Sequence, residues 1–158
     1  MPIESDDEIR ELLARARSIA VVGIKAGADA SARRAGAASQ GRAEIIEPDA
    51  FRVPAYLQQQ GYRIVPVSPK LDRVLGEPVV PSLREIREPV DLVDLFRAPQ
   101  HVPAHADEIL AMSPRPRAVW LQLGIRHDEA AHRLEAAGIA VVQDRCIMVD
   151  HRRLMGAR

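Results

Sequence analysis

At 158 residues with 47% apolar composition, the chain can enclose one hydrophobic core, and a second independent domain would be cramped. The 22 Lys and Arg residues balance 22 Asp and Glu, so no global field draws the protein to nucleic acid or an anionic membrane, and any anion site has to be built locally. One cysteine, Cys146, excludes an internal disulfide and suits a reducing cytoplasm, while no apolar run approaches the ~20 residues of a membrane span.

The opening MPIESDDEIRELLARARS is acidic and amphipathic, without the basic start and apolar centre of a secretory signal, so a soluble cytoplasmic protein is expected. Ser5 followed by Glu8 reads as a capping box, and Ile9, Leu12, Leu13 and Ala16 recur at helical spacing behind it, which predicts a helix over residues 6–16. Residues 1–17 are expected to form a helix packed on the domain made by residues 18–158. IAVVGI, residues 19–24, is a continuous β-branched run ending beyond a glycine, the pattern of a strand buried on both faces. Residues 26–46 are rich in Ala, Gly, Ser and Arg with few large apolar anchors; a mobile insertion is expected, with a short alanine-rich helix as the competing reading.

PDAFRVPAYLQQQG then predicts a helix that Asp49 caps and Gly61 ends, with Pro54 tolerable only near its first turn. YRIVPV, residues 62–67, is the next strand. VDLVDLF (90–96) and AVWLQL (118–123) are two more, separated by a segment in which Val102, Ala106, Ile109 and Leu110 share a helical face. HDEAAHRLEAAG supplies a helix stopped by Gly138, and IAVVQDR (139–145) the last strand. Strand and helix alternate almost throughout, which predicts a single α/β domain built on a doubly wound parallel sheet.

In such a sheet ligands settle beyond the carboxyl ends of the strands, which directs attention to residues 23–27, 68–70, 97–99, 124–126 and 146–149. The first loop reads Gly23-Ile24-Lys25-Ala26-Gly27 and lacks the G-x-G-x-x-G fingerprint of an NAD site. After the second strand, where a carboxylate would take a free ribose diol, stand Ser68, Pro69 and Lys70, and a lysine there prefers a phosphorylated ribose. NADP and coenzyme A both satisfy that condition. Lys25 and Lys70 are the only lysines of the chain and both fall on this edge; solvated surface lysines are the plainer alternative.

Read together, VVGI, YLQQQGYRIVPVSPK, LGEPVVPSL, PVDLVDLFRAP, AVWLQLGI and VVQDRC resemble the small stand-alone CoA-binding proteins, which are similar in turn to the CoA-binding N-terminal domain of the succinyl-CoA synthetase α subunit. The resemblance runs from Ile19 to about Leu154 and implies a Rossmann-like domain holding coenzyme A. It implies that Gly23, Ile24 and Lys25 lie near the phosphates, and that Lys70 corresponds to the lysine of the synthetase's V-T-P-G-K segment. Phe96, Arg97 and Pro99 occupy a V-P-A-P-like turn, a wall for adenine or pantetheine, and Gln122, Leu123 and Gly124 the loop after the corresponding strand. Cys146 matches a cysteine near the CoA thiol, although Ile147 replaces the usual proline behind it. The insertion after the first strand departs from the family and leaves Gly27, Ser31, Arg33 and Arg34 as unassigned candidates for phosphate contacts. The second domain with the synthetase's phosphohistidine is not expected here, and His151 is not expected to be that histidine.

Several residues have a plainer reading beside the functional one. Cys146 is either a thiol that forms a mixed disulfide with CoA, helped by Arg145, or a small buried apolar residue. His101 and His105 stand four apart, yet without a third ligand at metal-site spacing they are expected to be solvent-facing residues at a helix start, and His127 and His132 to lie at a helix surface. Asp91 opens a strand, Asp94 is expected to be hydrogen-bonded within the sheet, with a place near the ligand edge as the alternative, and Trp120 is expected to sit in the core. No nucleophile elbow, catalytic triad or metal cluster emerges. The expectation is non-catalytic binding of coenzyme A or acyl-CoA, without nucleic acid or membrane. Alternatives are an NADP-linked oxidoreductase or acyl-CoA-handling enzyme on the same fold, or an interaction module whose alanine-rich segment recruits a protein partner. A homodimer is also left open.

Overall fold

The computed structural model describes residues 3–27 and 47–156. The expected insertion at 26–46 falls almost wholly outside the described residues, as do Ser31, Arg33 and Arg34. Helix α1 (Asp6–Arg15) leads into strand β1 (Ser18–Val22), then come α2 (Asp49–Gln59) and β2 (Arg63–Val67). A two-stranded hairpin, β3 (Arg73–Val74) and β4 (Glu77–Pro78), and a 3-10 turn (Leu83–Glu85) follow before β5 (Leu92–Leu95). The chain closes with α3 (Val102–Leu110), β6 (Ala118–Leu121), α4 (Asp128–Ala136), β7 (Ala140–Val142) and α5 (Ile147–Met155).

The five long strands form one parallel sheet in the order β2-β1-β5-β6-β7. Because successive side chains point to opposite faces, each apolar run serves two cores. Ile19 and Val21 of β1 pack with α1, α2 and α5, whereas Ala20 and Val22 pack on the side of α3 and α4. The expected Rossmann-like α/β domain is thus the observed one. Trp120 is fully buried on the first face, its indole N–H donating to the Arg145 carbonyl at 2.7 Å.

Every strand is shorter than its apolar run: β1, β5, β6 and β7 give up their last residues to the carboxyl rim, whereas β2 ends with its run at Val67 and gives up Tyr62. Two elements depart from the expected rhythm. The crossover from β2 to β5 uses the hairpin and 3-10 turn in place of an α-helix, and its Val80 lies beside Val67 as a parallel bridge on the outer edge of β2. Helix α5 was not expected: its buried positions include Asp150 and His151, which hide the apolar period. Asp150 takes a two-point contact from Arg145 (2.6 and 3.1 Å), and Arg153 reaches both Asp6 of α1 and Asp150, joining the first and last helices. Helix α1 is capped by Ser5 as its sequence predicts, and the Tyr62 hydroxyl donates to the Leu13 carbonyl near its end. On the opposite sheet edge the Ile3 N–H donates to the Val141 carbonyl beside β7.

Candidate functional site

The chain moves from β1 outward to β2 and then crosses to β5 on the other side of β1, so strand order reverses between β1 and β5. Beyond the carboxyl ends of β2, β1 and β5 lies a cleft of about 490 Å³. It gathers eight residues singled out from the sequence: Gly23, Ile24 and Lys25 after β1, Ser68, Pro69 and Lys70 after β2, and Phe96 and Arg97 after β5. Pro81, Ser82 and Leu83 form one wall, and His101 at the N-cap of α3 with His105 and Glu108 along that helix form another. A second cleft of about 430 Å³ opens at the opposite rim, where Ala16, Gln60 and Gly156 end α1, α2 and α5. Helix C-termini present carbonyls there, which disfavours an anion.

The backbone of the first cleft is held by specific residues. Gly23 has φ +84°, and a Cβ on it would sit 2.4 Å from the Phe96 carbonyl oxygen, so β1 and β5 leave the sheet in contact only because this position is glycine. Its N–H donates to the Val67 carbonyl at 3.1 Å, which ties the loop to β2 as well. Pro54 lies inside α2, not in its first turn, and has no N–H for the Ala50 carbonyl four residues earlier. The Lys25 N–H takes that carbonyl instead, at 3.1 Å. Asp49 is the first helical residue, and Pro48 occupies the capping position expected for it. Ser68 is buried; its hydroxyl accepts from the Lys70 N–H at 3.1 Å while its own N–H donates to Val80.

The electrostatics of the cleft are one-sided. Among the described residues, Lys25, Lys70 and the terminal nitrogens of Arg97 have no carboxylate or carbonyl partner. The one carboxylate in the wall, Glu108, faces His105 Nδ1 at 2.7 Å, and His105 Nε2 faces Arg97 Nε at 3.2 Å. His105 is therefore not the solvent-facing residue its position suggested: its side chain is 17% exposed. Its partner Arg97 belongs to a different element, so no local pattern reveals the pairing. His101 is exposed on the cleft wall.

The remaining sequence candidates lie elsewhere on the rim. Pro99 is exposed outside the cleft lining, at the start of a 3-10 turn (Pro99–His101). Gln122, 4% exposed, accepts from the Ile147 N–H at 3.1 Å and so fixes the start of α5. Leu123 is 70% exposed, and the Gly124 N–H donates to Asp144 at 2.7 Å. Cys146 is half-buried at the N-cap of α5, and the Arg145 guanidinium beside it is engaged by Asp150.

Two aspartates of β5 and its approach differ sharply. Asp91 accepts from the Arg17 and Ser18 N–H groups and anchors the entry to β1. Asp94, expected to be hydrogen-bonded in the sheet, is fully buried between Val21 and Trp120 with neither carboxyl oxygen partnered, and burial holds its pKa well above the ordinary 3.8. Among the described residues, no group of three or more His, Cys, Asp or Glu side chains converges to hold a metal, and no helix is long and apolar enough to cross a membrane.

Comparison with known proteins places the chain in a family. The family model described as the CoA binding domain matches residues 46–152, which include the cleft loops after β2 and β5. The chain belongs to the CoA binding domain family. This CoA binding domain is 34% identical over 147 residues to the uncharacterized protein YneT of Bacillus subtilis, covering 93% of this chain and 94% of that one. Among solved structures it is similar to a protein from Thermus thermophilus, with a TM-score of 0.78, 42% identity and coverage of 96% and 99% of the two chains. A hypothetical protein from Pyrococcus horikoshii superposes with a TM-score of 0.79 at 32% identity, over 99% and 97% of the chains. The family match covers residues 46–152, and each of these relatives is matched over most of its own length.

Proposed function

We propose that this chain binds coenzyme A or an acyl-CoA without turning it over, with the adenosine and its phosphates in the cleft between β2, β1 and β5. The observation that carries this reading is the set of three cations, Lys25, Lys70 and Arg97, that have no carboxylate partner among the described residues and line one cleft at the point where strand order reverses. Lys70, at the end of β2, takes the 3′-phosphate of the ribose. The backbone of Gly23, Ile24 and Lys25 takes the diphosphate, with Ser68 and Pro69 shaping the ribose side and Phe96 walling the base. The pantetheine arm runs along the rim, past Pro99, Gln122, Leu123 and Gly124, toward Cys146. Its family membership supports coenzyme A over NADP as the phosphorylated nucleotide. A cytoplasmic setting belongs to the same reading, supported by the single cysteine of the sequence.

Thermal shifts with coenzyme A, 3′-dephospho-CoA and NADP test the proposal. A ligand at 100 times its dissociation constant adds about 2.7 kcal/mol, which moves the midpoint of a domain this size by roughly 5 to 10 °C. Coenzyme A is expected to give the largest shift and dephospho-CoA a smaller one. A larger shift with NADP, or none with coenzyme A, would overturn it.

A further inference from the structure

The contact between Arg97 and His105 fixes more than one side chain. An arginine Nε–H can only donate, so His105 Nε2, 3.2 Å away, must hold a lone pair. The ring hydrogen then sits on Nδ1, where Glu108 accepts it at 2.7 Å. The opposite tautomer would set N–H against N–H on one side and a lone pair against a carboxylate on the other. Carboxylate and guanidinium therefore agree on one form of the imidazole between them.

This arrangement has a consequence for the arginine. A direct ion pair with Glu108 would occupy the guanidinium fork and cancel its charge. With an imidazole interposed, Arg97 is gripped side-on at Nε while its two terminal nitrogens, four N–H in all, have no partner among the described residues. Its stem is confined as well, since a Cβ on Gly23 would come within 3.2 Å of Arg97 Cδ. A fork held at its base, open at its tips and lining the cleft is matched to an anion with paired oxygens, such as a diphosphate.

We propose that Arg97 is the diphosphate-recognising side chain of this cleft, and that His105 and Glu108 are positioning residues that hold it through a single imidazole tautomer. The inference rests on the nucleotide reading of the site given above, and it divides the labour there: Lys70 selects the phosphorylated ribose, and Arg97 holds the diphosphate common to all nucleotides of this class.

The test is calorimetric titration of the full chain with two probes, coenzyme A and ADP, which share a diphosphate and differ in the ribose phosphate and the arm. His105→Leu, which removes the acceptor, is expected to weaken both probes by roughly 5- to 20-fold. His105→Gln, which keeps an acceptor oxygen, should lose less than about threefold. In an Arg97→Ala background, His105→Leu should change nothing further, a result that a merely structural histidine would not give. Glu108→Leu, assayed in the same way, serves if His105→Leu lowers the folded fraction. Equal losses in both backgrounds, or unchanged affinity in His105→Leu and Glu108→Leu, would overturn the positioning role. Coenzyme A binding that survives Arg97→Ala intact sinks this inference and leaves the CoA reading standing. Binding of ADP through Arg97 without binding of coenzyme A does the reverse.

Discussion

Lys25 and Pro54 are joined through one carbonyl: the Ala50 oxygen that Pro54 cannot satisfy is the oxygen to which the Lys25 N–H donates. A residue that looks like a helix defect thus frees the carbonyl that anchors the loop after β1. Pro54→Ala would return a donor to α2 and set it in competition with Lys25. The variant is expected to keep or raise its thermal midpoint, to exchange the Lys25 amide hydrogen faster, and to bind coenzyme A more weakly. Unchanged exchange at Lys25 would separate the proline from the loop.

Gly23→Ala combines a left-handed φ with a Cβ placed 2.4 Å from the Phe96 carbonyl, and the obstructing atom is backbone that cannot swing away. It should cost about 2 to 5 kcal/mol and lower the midpoint by on the order of 10 °C. Gly27→Ala is the control, because its Cβ would meet the tip of the Phe51 ring, a side chain able to turn. Its loss should stay below about 1.5 kcal/mol in the same chemical-denaturation series.

Asp94 makes stability depend on pH in an unusual direction for a carboxylate. Its folded pKa is raised by burial, so the native state keeps a proton that the unfolded chain gives up above its ordinary value of 3.8. Its contribution is complete below about pH 4 and falls as pH rises toward the folded value, with up to one proton released on unfolding. Asp94→Asn removes that release. Urea unfolding from pH 4 to 8 should show the variant gaining steadily on the wild type as pH rises; parallel curves would mean that Asp94 is ionised or solvated in the fold.

Lys70→Ala bears on which phosphate the end of β2 recognises. Loss of a charge-assisted contact should cost about 1.5 to 3 kcal/mol of coenzyme A affinity while leaving dephospho-CoA nearly untouched. Equal losses for both ligands would remove Lys70 from the ribose phosphate.

The sheet was legible in the sequence because parallel strands buried on both faces read as unbroken apolar runs, and the rim because Gly23 and Gln122 lie near the ends of those runs and Ser68 and Arg97 directly follow them. What escaped depended on contacts between different elements. Helix α5 buries Asp150 and His151, whose partners Arg145 and Tyr56 sit in a loop and in α2, so its polar pattern looks like surface. His105 took its meaning from Arg97 eight residues earlier, and Pro54 from Lys25 across the fold. Asp94 misled in the other direction: a polar residue inside an apolar run suggested a partner, and burial left it without one.

The strip of chain at Val80 that lies along Val67, and the Ile3 amide that meets Val141, each occupy part of the free edge of an outermost strand. Intermolecular strand addition, the common route from a parallel sheet to fibrils, is blunted at both margins. Trimming the residues before α1 would uncover the Val141 carbonyl at one margin and is expected to favour precipitation.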